Sequence, residues 1–181
     1  MAHKEQLDWC TELHERFPER FRGHRVLEVG SYNINGSIRP LFDACWYLGI
    51  DVRHGRDVDR VAIAHELDAP VRSFSVVCSC NALEHDMYWR LTLGRMYALL
   101  ANGGLMFVQA RARAAPHGTA SANPEDSLTS QLGEPWASYY RNLDVADLAW
   151  LGDDNLFGDW WLDRQRCADG SEDAMFVGVR R

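Results

Sequence analysis

The sequence predicts an α/β protein: a doubly wound, mostly parallel sheet of about seven strands, closed by a C-terminal antiparallel hairpin. Three observations predict it. Short apolar runs alternate with segments of helical period up to Arg111, and parallel neighbours need such crossover connections. The run Arg25–Val29 meets Gly30 and a polar loop, Ser31–Ser37, and the next run, Trp46–Asp51, ends in an acid. Near the end, two further apolar runs flank the turn-forming Ala168-Asp169-Gly170-Ser171, which reads as a hairpin.

Taken in order, Lys4–Phe17 is the first helix, because Leu7, Cys10, Leu13, His14 and Phe17 recur at helical spacing. Pro18 and Gly23 punctuate the approach to the first strand, Arg25–Val29. A short helix over Ser37–Ala44 starts with Ser37 as its cap. The second strand is Trp46–Asp51, followed by a polar turn at Arg53–Arg56 and a weaker strand at Val58–Ala64. Ser73–Cys80 is the clearest strand, and Glu84–Leu100 reads as a helix with Tyr88, Leu91, Met96 and Leu99 among its apolar positions. Asn102-Gly103-Gly104 supplies the left-handed stop for that helix before the strand Leu105–Ala110. Ala112–Pro135 is rich in Ala, Ser, Pro, Asn and Gly without periodicity, the mark of a long and often functional loop. Asp144–Leu151 is a helix capped by Asn142 or Asp144, and Trp160–Cys167 with Ala174–Arg180 forms the hairpin. One domain over 1–181 is expected: a helical segment (1–24), a ligand-binding core (25–111), a loop (112–142), and a closing helix and hairpin (143–181).

Charge and cysteine usage exclude several classes. A net charge of -7 argues against a protein that grips a phosphate backbone. The Arg-rich stretch Arg16–Arg25 interleaves Glu and His and reads as a solvated helix face; a second cluster is Arg111–Arg113. Without a run of about 18 apolar residues or a leader-like start, neither a membrane span nor secretion is expected, and the cytoplasm is the expected compartment. Five cysteines, an odd number, suggest no disulfide framework and fit a reducing environment. Cys78-Ser79-Cys80 lies in an apolar run and reads as strand packing; no second Cys/His pair has zinc-site spacing, so no metal is assigned.

The loop after Arg25–Val29 lets backbone approach a nucleoside-bearing cofactor, and Asp51 can accept hydrogen bonds from ribose hydroxyls. Five stretches then share one pattern: Leu27-Glu28-Val29-Gly30 with Asn35-Gly36-Ser37, Leu48-Gly49-Ile50-Asp51, Ser73-Phe74-Ser75-Val76-Val77, Asn81-Ala82-Leu83-Glu84-His85, and Leu99–Leu105. In this order they resemble the class I S-adenosylmethionine-dependent methyltransferases, and within them the small type 11-like group with a Rossmann-like fold. The resemblance implies that Glu28 and Gly30 lie under the methionine portion of S-adenosylmethionine, with Ser31 and Gly36 shaping the loop around it. It places Asp51 on the ribose, Val52 on the adenine face, and Ala64 and His65 at the adenine edge. Cys80 and Asn81 would offer backbone groups near the sulfonium and the amino group, and S-adenosylhomocysteine would be the product.

Three departures from the family pattern stand out. Tyr32 and Ile34 occupy the later glycine positions of the loop, Ile63 stands where relatives often carry an Asp, and Ser75 replaces an acid. Blander readings stand beside the functional ones. Gly30 and Gly36 also read as turn residues, Asn81 as a helix cap and Glu84 as a charge suited to a helix N-terminus. His85 is the candidate general base, against a structural role for the same imidazole. His117, Trp136, Tyr139, Tyr140 and Arg141 are candidates for the acceptor pocket or a lid, against packing for the helix that follows.

By this resemblance the expected activity is methyl transfer to a small-molecule or glycan acceptor at oxygen or nitrogen. The alternatives are a degenerate methyltransferase-fold partner subunit and a nicotinamide-dependent reductase. The reductase fits less well, because Gly30–Gly36 lacks the G-x-G-x-x-G spacing. Nucleic-acid methylation is disfavoured by the acidic charge and by the lack of an Asn/Asp-Pro-Pro-Tyr tetrad after the fourth strand.

Overall fold

The computed structural model describes residues 4–153 and 155–181. Its β-branched and apolar runs become β1 (Arg25–Val29), β2 (Trp46–Asp51), β3 (Arg60–Val61), β4 (Phe74–Cys80) and β5 (Leu100–Arg113). After the long connection come β6 (Phe157–Arg166) and β7 (Glu172–Arg180). They form one seven-stranded sheet in the order β3-β2-β1-β4-β5-β7-β6. The first five strands pair in parallel, while β7 inserts antiparallel between β5 and β6. Strand order reverses at β1, between β2 and β4, and a crevice opens beyond the carboxyl ends there.

Side chains of successive strand residues point to opposite faces, so the sheet buries apolar groups on both. On one face α1 (Lys4–Arg16) lays Trp9, Cys10 and Leu13 against Val26, Val76, Cys78 and Phe107. On the other, α2 (Trp89–Leu99) packs Leu93 and Met96 with Leu27, Val77, Met106 and Val108. A third, short helix, α3 (Val145–Leu148), adds Leu148 to that second core. Of the two caps expected for α3, Asp144 is the one used: it forms a reciprocal capping box with Asp147.

Several expected boundaries move, each for a local reason. The helix expected over Ser37–Ala44 is a single 3-10 turn, Arg39–Leu41. Pro40 has no N–H to donate, and Ser37 Oγ takes the Arg39 N–H (3.1 Å), which leaves too few backbone bonds for a helix. The helix expected from Glu84 begins at Trp89, because a 3-10 turn at Leu83–His85 ends in extended backbone at Asp86, whose Oδ1 accepts from Tyr88 N (2.8 Å). Gly103 is left-handed (φ +70°), but inside β5 and not at a helix end, since α2 already closes at Leu99. The strand expected at Val58–Ala64 shrinks to the two residues of β3. Among the described residues, no helix is long and apolar enough to cross a membrane.

Candidate functional site

The carboxyl ends of β1, β2 and β4 each deliver polar groups to the crevice. Glu28, buried in β1, accepts a hydrogen bond at Oε2 from Tyr47 Oη (2.8 Å). Burial pushes its carboxyl up to about 7, against the lowering pull of that hydroxyl and of Arg39. Asp51 ends β2 and accepts from Val52 N (2.8 Å) and Tyr32 N (3.1 Å). Burial raises it to about 6, although both backbone bonds favour the ionised form. Asn81, just past β4, is buried with φ +50°.

Between β1 and the turn at Arg39–Leu41 the loop runs without the later glycines of the family pattern. Asn33 takes over their task. Its Oδ1 accepts from Gly36 N (3.0 Å), its Nδ2 donates to Asp57 Oδ2 (2.6 Å), and its own N–H reaches Arg56 O (3.0 Å). The loop is thereby tied to the segment after β2, with Gly36 at φ +152° supplying the one bend beyond Gly30 that needs a glycine. Ser31 Oγ is buried with no hydrogen-bond partner, and Ser31 faces the same space.

Two adjoining pockets fill the crevice. The first, of about 570 Å³ with its open mouth included, is lined by polar groups: Glu28, Ser31, Asp51, Asn81, Ser127 and Thr129 among them. The second, of about 410 Å³, is apolar, with Val29, Val52, Ile63, Ala64, Leu83 and Trp136 in its wall. Gly30, Asp51, Ala82 and Thr129 line both. The site therefore has a polar end, an apolar end and a carboxylate at their junction.

Beside the polar end lies a cluster on the turn Leu83–His85. Glu84 is fully buried, and burial raises its carboxyl to about 7. His85, which lines the polar pocket, is 3% exposed and pushed down to about 3 by burial, so it is a neutral imidazole and a weak base. His117 and Tyr140 pack on it, with ring centroids 5.3 and 5.4 Å away.

A family model for a methyltransferase domain matches residues 1–168. The chain belongs to the methyltransferase domain family. No curated protein matches it. Solved structures show the same fold. The phosphoethanolamine N-methyltransferase 2 of Haemonchus contortus, bound to phosphomonomethylethanolamine and S-adenosylhomocysteine, superposes with TM-score 0.66 at 16% identity over 96% of this chain. This chain spans 52% of the length of that enzyme. A Burkholderia thailandensis 1,6-didemethyltoxoflavin-N1-methyltransferase, with 1,6-didemethyltoxoflavin and S-adenosylhomocysteine bound, gives 0.65 at 16% identity, covering 97% of this chain and 78% of its own. The N-terminal domain of EvdMO1, crystallised in the presence of S-adenosylhomocysteine and D-fucose, gives 0.61 at 20% identity, covering 100% and 85%.

Within this methyltransferase domain, Glu28, Gly30, Ser31, Gly36, Asp51, Cys80 and Asn81 converge on the polar pocket, and Val52 and Ala64 on the apolar one. His65 lines neither; its ring lies 5.0 Å from Tyr88. Trp136 sits in the apolar pocket, His117 and Tyr140 join His85, and Arg141 turns outward to pair with Asp147 (2.8 Å). Tyr139 is half-buried and lines neither pocket. Sequence reasoning missed Gln6, which α1 sends into the polar pocket, and Asp126–Thr129, which the long connection folds over it. It also missed Asp86, the acid on the rim of the apolar pocket whose Ile63 stands where relatives often carry one. Gln6 had a signal: with Trp9, Cys10 and Leu13 it forms one buried helix face, and a polar side chain on such a face calls for a purpose.

Proposed function

We propose that this domain transfers a methyl group from S-adenosylmethionine to oxygen or nitrogen of a small-molecule or glycan acceptor. One observation carries the reading: the polar and apolar pockets meet at Asp51, in the order a charged amino acid, a ribose and a flat base require. The residues fit the group. Glu28, Ser31 and Asn81 suit an amino-acid end, Asp51 a ribose diol, and Val52, Ile63, Ala64 and Trp136 an adenine. Bound there, S-adenosylmethionine supplies an electrophilic methyl on a sulfonium and leaves as S-adenosylhomocysteine.

The chain's own contribution is position and exclusion of water. Gly30 and Ala82 form the floor shared by both pockets, and Leu128 and Thr129 cover the polar one. Aligning donor and acceptor is what an in-line displacement needs most. A base is required only when the acceptor proton must leave, and the depressed His85 makes a weak one. Acceptors that arrive unprotonated, or lose their proton with other help, suit this site better. Small acceptors also agree with the neighbours crystallised with phosphomonomethylethanolamine, 1,6-didemethyltoxoflavin and D-fucose.

Calorimetry with S-adenosylhomocysteine tests the donor site. Replacing Asp51 with Ala removes a half-buried charged acceptor, worth about 1.5–3 kcal/mol, so affinity is expected to fall roughly 10- to 150-fold. Equal binding by the two proteins would remove Asp51 from the site. No binding by the wild type would instead favour a partner subunit that has kept the fold and lost the donor.

A further inference from the structure

The turn after β4 and the connection after β5 bring Glu84, His85 and His117 to one point. Among the described residues this is the His/Cys/Asp/Glu group arranged to hold a metal ion, with one donor atom from each residue inside a 4.8 Å span. Two observations mark it as more than packing. Neither carboxylate oxygen of fully buried Glu84 has a hydrogen-bond partner, and neither does either ring nitrogen of His85. Native proteins rarely bury polar atoms without giving them something to bind.

His117 is prepared in a different way. Its Nδ1 lies 3.2 Å from Ala115 O. A carbonyl only accepts, so Nδ1 carries the proton and Nε2 is left with its lone pair, the arrangement usual for a ligating imidazole. The backbone is fitted to the cluster as well. Gly118 is left-handed (φ +60°), and a Cβ there would lie 2.6 Å from His85 Cε1. The neighbouring guanidinium of Arg111 is engaged by Asp173 (3.0 Å) and Ser171 (2.8 Å), leaving Glu84 to face the two imidazoles.

We propose that Glu84, His85 and His117 bind one divalent transition-metal ion. Two imidazoles with one carboxylate form a ligand set for zinc, iron or cobalt, not for calcium or magnesium, which prefer oxygen alone. Bonds of about 2.1 Å in a tetrahedral arrangement would draw the donor atoms to roughly 3.4 Å apart. His117, half-buried on its loop, is the ligand free to close that distance. Open coordination positions would face two spaces: the polar pocket that His85 lines, and a surface cleft between His117, Arg113 and Asp169–Ser171. An acceptor hydroxyl or carboxylate entering by the cleft could bind the ion and be presented to the donor. That last role rests on the methyl-transfer reading; ion binding does not.

The test is a Co2+ titration of the full chain after chelator treatment, followed by its visible absorption. The expected result is one equivalent bound with the intensified bands of a four- or five-coordinate site, displaced by Zn2+. Glu84→Gln and His117→Ala should each weaken binding by at least about 100-fold, the upper end of what losing a mere supporting group costs. If the buried Glu84→Gln variant does not fold, the loop variant His117→Ala decides alone. A spectrum unchanged from aqueous Co2+, or equal affinity in wild type and the folded variants, overturns the proposal. S-adenosylhomocysteine calorimetry on the metal-free protein keeps the two readings apart: cobalt without nucleoside binding retains the ion site alone, and the reverse retains the donor site alone.

Discussion

Gly30 adopts φ +79°, and a Cβ at this position would come 2.1 Å from the Ala82 Cβ. Two penalties therefore add in a Gly30→Ala variant: a left-handed backbone and an overpacked contact, each about 1–3 kcal/mol. Urea unfolding should show that loss, and Ala82→Gly in the same chain should recover the contact part but not the backbone part. Full recovery would mean that the backbone conformation costs nothing. Gly30 and the acids Glu28 and Asp51 were legible in the sequence because strand ends announce themselves: an apolar run stops at a residue that does not belong in a core. The course of the loop was not legible. Asn33 replaces missing glycines with side-chain hydrogen bonds to Gly36 and Asp57, and no local pattern tells an Asn that holds a loop from one that faces water. The Glu84–His85–His117 cluster was hidden for a related reason, since its members come from separate segments and no zinc-like spacing joins them.

At the scale of elements, the strands followed the sequence more closely than the helices did. β1 and β2 begin and end where their apolar runs do: β1 is buried from Val26 to Val29, and β2, exposed at Trp46 and buried at Gly49 and Ile50, follows it in parallel register residue by residue. The connections are set by side chains competing for backbone groups, as Ser37 and Asp86 do, so their helices come out shorter than periodicity suggests. The closing hairpin shows what an element adds to the site. Asp173 on β7 is fully buried, receives Arg111 Nη1 at 3.0 Å and Gln109 Nε2 at 2.8 Å, and so ties β7 to β5 directly behind the cluster. Asp173→Ala leaves a buried guanidinium unpaired and should lower unfolding free energy by about 3–5 kcal/mol. The double change Arg111→Met, Asp173→Leu should cost much less, because it removes both charges together. Equal losses in chemical denaturation would show that the packing, not the pairing, matters here.

Over the whole molecule, an acidic chain of net charge -7 has drawn carboxylates into its interior at the one place where the sheet opens. This has a measurable consequence for pH. Glu28 is raised from 4.5 to about 7 in the folded protein, so between those values the folded state holds more proton than the unfolded one. Stability from this residue is complete below about pH 4.5 and falls as pH rises through 7, a change on the order of 3 kcal/mol. Asp51, raised to about 6, acts in the same direction from about pH 4 to 6. His85 opposes them: depressed to about 3, it is neutral when folded while its unfolded counterpart is protonated, so its contribution grows as pH rises towards 6.5. The wild-type stability curve thus mixes opposite slopes and does not isolate any one group. A comparison with Glu28→Gln does, because Gln keeps the shape and can still accept from Tyr47. The other groups acting on Glu28, namely Arg39, Asp51 and Asp57, stay in place in both proteins. The wild type should lose stability relative to the variant from pH 4.5 to 7.5, measured by urea unfolding at each pH. A difference that stays constant would mean that Glu28 titrates as an ordinary carboxylate, and that the polar end of the crevice is wet enough to hold its charge.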